Sequence, residues 1–168
     1  SKVLLQWLLE HKGLDPKCIE TGPDLDSMLA TCDGALLIGD RALNAAESHP
    51  ELVRLDLGGE WTKVTQLPMV FGVFACRKDV PLDKISSIHN DLLSNYLEFN
   101  TNPEKKSLVI EQSASATGID KVRMEHYFDN EVRNTLDEDS QKGLLKFLKE
   151  VCKISEEPSW VSLEIQSE

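Results

Sequence analysis

Asp40 stands in the triplet Gly39-Asp40-Arg41, directly after the apolar run Gly34–Ile38. A short continuous run of that kind fits a strand buried on both faces. Open α/β sheets take ligands at the C-terminal ends of such strands, where loops and helix N-termini converge. Gly39 admits a close backbone approach, and Asp40 is either a proton acceptor or the N-cap of the next helix; spacing alone favours the cap. A second cluster, Asp56-Leu-Gly-Gly-Glu60-Trp61, offers two carboxylates and an indole to a pocket wall. Spacing alone favours a tight turn with a packed tryptophan. His11, His49, His89 and His126 have no partner at metal-ligand spacing and read as surface or core side chains. Cys18, Cys32, Cys76 and Cys152 show no CxxC spacing, which argues against zinc and for small buried apolar thiols. The sequence holds no Ser-His-Asp order, nucleophile elbow, P-loop, dinucleotide fingerprint or HExxH. No metal or organic cofactor is indicated.

Charge narrows the partners. Eighteen Lys and Arg face 29 Asp and Glu, a formal net charge of -11. Such a surface repels nucleic acid and anionic membranes, so neither is expected as a partner. An anionic metabolite can still be bound through a local device: a helix N-terminus, a backbone nest or a single arginine. No apolar run approaches the ~20 residues that span a bilayer. Reduced cysteines without a signal peptide fit the cytosol. The sequence opens in helical pattern at Ser1 without an initiator methionine and reads as a piece of something longer.

The elements that would position these groups follow from periodicity. Leu4, Leu5, Leu8 and Leu9 share one helical face over residues 2–12, which Gly13 ends. Ser1 and Asp24 stand where N-caps belong, the latter before a helix with Leu25, Met28, Leu29 and Cys32 on its apolar face. Lys17–Thr21, Gly34–Ile38, Leu52–Leu57 and the very apolar Leu67–Cys76 read as strands, the second and the last as buried ones. Ala42–Ser48 reads as a short helix. Leu82, Ile85, Ile88, Leu92 and Tyr96 mark another over Leu82–Glu98, with a turn at Asn100–Pro103. Leu108–Ala116 is ambiguous, and Ser113–Gly118 is a helix end or a loop. Thr135-Leu-Asp-Glu138 matches a capping box for a helix running to about Lys153. Alternating strands and helices up to residue 76 argue an α/β fold with a parallel sheet.

Four segments in order resemble the chorismate dehydratase family of the futalosine route to menaquinone. Ser1-Lys-Val-Leu-Leu is similar to the helix after that family's Ser/Thr-rich ligand-binding turn. Ala35-Leu-Leu-Ile-Gly-Asp-Arg-Ala-Leu43 resembles its ALLIGDxAL strand and turn, Asp56–Trp61 its DLGxEW turn, and Leu67–Phe74 its LPFVFAVW strand. Tyr127 and Gly143–Phe147 resemble the C-terminal helix region. Gln66 replaces a usual glycine, Met69 an aromatic and Phe74 a tryptophan, changes that bear on substrate fit. A sister family, the dihydroxynaphthoate-forming synthase, has a catalytic histidine where this chain has Gly39, which disfavours that reading.

The resemblance implies an α/β, type 2 periplasmic-binding-protein-like fold, two lobes with parallel or mixed sheets joined by crossover strands. Residues 1–66 would form most of one lobe. Residues 67–168 would supply a crossover strand and the C-terminal helical part of the other, whose first strands precede Ser1. The implied activity is a hydro-lyase reaction on chorismate. Asp40 would be a catalytic candidate, and Ser1, Gly39, Leu67, Pro68 and Phe71 would contact substrate. A non-catalytic small-anion binding module of the same fold and an inactive truncated fragment remain as alternatives.

Overall fold

The computed structural model describes residues 1–161. Two compact units divide the described residues, one of Ser1–Val70 with Leu136–Ser155, the other of Phe71–Thr135 with residues 156–161.

Helices α1 (Lys2–His11), α2 (Leu25–Leu29), α3 (Asp40–Ser48) and α4 (Leu57–Thr65) belong to the first unit. Leu4 and Leu8, one turn apart on α1, are completely buried, and Gly13 ends the region with φ +73°. Asp24 caps α2 as its residue type predicts, accepting from the Ser27 N–H at 2.9 Å. Asp56 accepts from the N–H groups of Gly58 (3.3 Å) and Gly59 (2.8 Å), so the Gly-Gly pair is the first turn of α4 rather than a turn between strands. That helix ends at Gln66 with φ 59°, a left-handed position that favours glycine. Gln66 offsets some of the cost by donating its side-chain amide to the Lys63 carbonyl at 3.1 Å.

Near the C-terminus the capping signal lies two residues later than the Thr135 box suggests. Asp137 accepts from the Ser140 N–H at 2.8 Å and starts the helix at Glu138. This helix, α8 (Glu138–Lys146), continues through a π-turn over Phe147–Val151. It returns to α1 and α4, where Trp7, Leu57, Met69, Phe147 and Val151 surround Leu4, Leu8 and Trp61. The Trp61 indole N–H donates to the Pro68 carbonyl at 3.2 Å. Gly143 lies against the same carbonyl so closely that an added Cβ would stand 2.2 Å from the oxygen.

The second unit is a helical assembly. Here α5 (Leu82–Thr101) runs into Asn102, which caps α6 (Pro103–Thr117) by accepting from the Glu104 and Lys105 N–H groups. Proline at the first helical position suits a site that needs no donor. The expected turn at Asn100–Pro103 is therefore a cap, and the ambiguous Leu108–Ala116 is helix. Gly118 (φ +72°) ends α6, and α7 (Lys121–His126) runs on through a π-turn over Tyr127–Glu131. Ile110, Ile119 and Met124 are buried, the Phe99 and Phe128 rings lie 5.4 Å apart, and Lys106 pairs with Asp129.

The α/β expectation fails: the described residues form helices and contain no strand or sheet. Lys17–Thr21, Gly34–Ile38, Leu52–Asp56 and Leu67–Cys76 are non-helical and form no ladder. Apolar β-branched runs report a preference for packing, whereas a strand exists only when a neighbour supplies its N–H and C=O partners. No two of these segments supply them to each other. Ile38 and Phe71 are each 64% exposed and Phe74 is 87% exposed, contrary to strands buried on both faces. The sheet-based architecture with crossover strands is accordingly not what the described residues adopt.

Glu60 links α1 to α4. Its carboxylate is mostly buried and accepts from Lys63 at 2.6 Å and pairs with Lys12 at 2.9 Å. The hydrogen bond from Lys63, then that from Lys12, holds its pKa below the ordinary 4.5. A carboxyl whose folded pKa is depressed stabilises the fold above its unfolded pKa, and that contribution is lost as pH falls through the folded value. Urea titrations from about pH 6 to about pH 3 should show wild-type stability falling through the acid range, with a shallower slope for Glu60→Gln. Equal slopes would remove Glu60 from this role. Gly143→Ala should destabilise the chain by about 1–3 kcal/mol in urea at neutral pH, because its methyl collides with backbone rather than a movable side chain.

Candidate functional site

The triplet Gly39-Asp40-Arg41 forms the entry to α3. Gly39 is the N-cap with φ 63° and ψ -146°, a region that L side chains avoid. Asp40 and Arg41 are the first two helical residues. Asp40 is therefore not the cap that spacing favours; the glycine takes that position and makes no side-chain cap bond. Asp40 is exposed and makes no hydrogen bond or ion pair among the described residues.

These residues border an open concavity of about 410 Å³ in the first unit. Its other walls are Thr21 and Pro23, Met28 of α2, and Leu36, Leu37 and Ile38 of the segment leading to α3. The cap at Asp24 fixes the start of α2 and so places Met28. The recess thus has a mainly aliphatic wall with one carboxylate, one guanidinium and a helix N-terminus at its rim. Such an arrangement can seat a small molecule with an apolar body and an anionic group, and can exchange one proton with it.

The remaining expected site residues lie elsewhere. Ser1 is the exposed N-cap of α1 with no side-chain cap bond. Leu67 and Pro68 are half-buried beside α4 and α8. Phe71 is exposed and belongs to the second unit. Of the site residues expected from sequence, only Gly39 and Asp40 line the concavity. Thr21, Met28 and Arg41 line it as well, and sequence reasoning did not single them out for a site. Met28 was legible as part of an apolar helical face, and Arg41 adjoins Asp40, but nothing in the spacing folds the Thr21–Met28 stretch onto the triplet.

The second acidic cluster is structural. Asp56 caps α4 and Glu60 is held by two lysines, so neither carboxylate lines this recess. Cys18 and Cys76 are exposed and Cys32 and Cys152 half-buried, so the buried-thiol expectation fails. No group of three His, Cys, Asp or Glu side chains among the described residues is arranged to hold a metal. No helix among them is long and apolar enough to cross a membrane.

Comparison with known proteins defines the relationship. The family model described as "Menaquinone biosynthesis" matches residues 1–153. The chain belongs to this menaquinone biosynthesis family. A chorismate dehydratase of Thermus thermophilus is 30% identical over 167 aligned positions. The match covers 88% of this chain and 57% of the relative, so the chain spans little more than half the length of that curated protein. No solved structure matches the chain. Membership in the menaquinone biosynthesis family rests on nearly the whole chain, the Gly39-Asp40-Arg41 recess included.

Gly39→Ala should destabilise the chain by about 1–3 kcal/mol although its added methyl meets nothing within 4 Å, since the backbone angles alone exclude it. Urea unfolding of the variant checks this; unchanged stability would mean that the entry to α3 has a different conformation.

Proposed function

We propose that this chain is part of a chorismate dehydratase acting in the cytosol on the futalosine route to menaquinone. The carrying observation is the 30% identity to a chorismate dehydratase across 88% of the chain, within the menaquinone biosynthesis family. The concavity at the start of α3 supports the reading, because its aliphatic wall and charged rim suit a ring that bears a carboxylate.

The reaction removes the C4 hydroxyl of chorismate together with the C3 proton, giving 3-[(1-carboxyvinyl)oxy]benzoate and water. Aromatisation drives the product side, so the protein's work is to bind, align and move one proton. Asp40, with no protein partner of its own among the described residues, is the group we assign to that proton, with the substrate's own carboxylate as the competing base. Gly39 lets substrate approach the backbone at the same point. Ser1, Leu67, Pro68 and Phe71 lie outside the concavity, and a role for them rests on the resemblance alone.

The protein at its natural full length, incubated with chorismate and followed by mass spectrometry, should show loss of water. Asp40→Asn should lower turnover at least about tenfold, equivalent to about 1.4 kcal/mol in the barrier. No conversion by the folded wild-type protein would remove the dehydratase reading. Unchanged kinetics for Asp40→Asn would give the proton step to the substrate carboxylate.

A further inference from the structure

Arginine presents a planar fork of donors that matches a carboxylate. The chain has five arginines. Arg54 donates to the Ala46 carbonyl at 3.1 Å, and Arg77 grips Asp79 through bonds of 3.0 and 2.8 Å. Arg123 pairs with Glu131 at 3.0 Å, and Arg133 is engaged as well. Arg41 alone makes no hydrogen bond, ion pair or ring contact among the described residues. It does so in a chain with 29 acidic residues, and with Asp40 beside it in sequence.

Arg41 also lines the concavity, together with the aliphatic wall of Met28, Leu36 and Leu37. A charged fork beside an apolar wall discriminates among anions. A phosphate or sulfate would meet the guanidinium but leave that wall wet. A carboxylate on a flat, apolar ring satisfies both surfaces at once. The neighbouring Asp40 carboxylate leaves the rim close to neutral, so the recess suits one carboxylate at this point rather than two.

We propose that Arg41 is the carboxylate anchor of the concavity and that the recess selects small ring carboxylic acids. This rests on reading the concavity as the substrate site, and it adds the group that sets orientation and affinity there. Arg41 is then a binding residue: its loss weakens binding of carboxylates and leaves binding of their esters unchanged.

The test is calorimetric titration of the protein with benzoate, methyl benzoate and inorganic phosphate, comparing wild type with Arg41→Gln and Arg41→Lys. Wild type should bind benzoate more tightly than either other probe. Arg41→Gln should weaken benzoate about tenfold, as expected for one charge-assisted pair, with Arg41→Lys in between. Because Arg41 makes no contact of these kinds among the described residues, both variants should unfold at the wild-type urea midpoint, which separates binding loss from misfolding. Benzoate affinities within about twofold of each other in wild type and Arg41→Gln would overturn the anchor. Wild type binding phosphate or methyl benzoate as tightly as benzoate, or failing to bind benzoate, would overturn the ligand class. If benzoate binding depends on Arg41 but chorismate is not dehydrated, the dehydratase reading fails and the anchor stands.

Discussion

The Pro68 carbonyl is where three stretches of the first unit meet. Trp61 donates its indole N–H to that oxygen, and Gly143 of α8 lies directly against it with no room for a side chain. The ring of Trp61 in turn fills the space between Leu4 and Leu8 of α1 and Phe147 beyond α8. A fully buried indole requires an acceptor for its N–H. The backbone at Leu67-Pro68 supplies one, and so a segment without secondary structure of its own is fixed to the helices around it. Thr62 reinforces the same place by donating its hydroxyl to the Leu67 carbonyl at 3.2 Å. The Lys12–Glu60–Lys63 cluster ties α1 to α4 beside that ring.

This arrangement explains why helices were legible in the sequence and sheets were not. Helix ends are set by local chemistry: Asp24 before α2 and Gly118 after α6 act within a few residues of themselves. The apolar face of α1 is likewise visible at steps of three and four, and Leu4 and Leu8 are its buried members. Leu67–Cys76 has strand composition, but a ladder requires a partner that composition cannot specify. Its first residues are held instead by an indole, a hydroxyl and a close glycine, none of which leaves a periodic trace. The Asp56-Leu-Gly-Gly sequence misled for a related reason, since a Gly-Gly pair signals a turn until an aspartate caps it into a helix.

The candidate site was legible only in part. Gly39 and Asp40 follow from an apolar run that ends in glycine and aspartate, and both line the concavity. Arg41 became meaningful only when the partners of the other four arginines were known. Thr21 and Met28 join the same wall from well upstream, a long-range contact with no sequence spacing to announce it. Ser1, Leu67, Pro68 and Phe71 came from resemblance to whole proteins, whereas the concavity is built from Thr21–Arg41 alone.

Backbone NMR of the isotope-labelled protein titrated with chorismate tests the central claim most directly, because it reports where the ligand sits independently of turnover. The account predicts that the amides of Thr21, Gly39, Asp40 and Arg41 shift first and saturate together. Shifts confined to α5, α6 and α7, or no shifts at saturating chorismate, would contradict it.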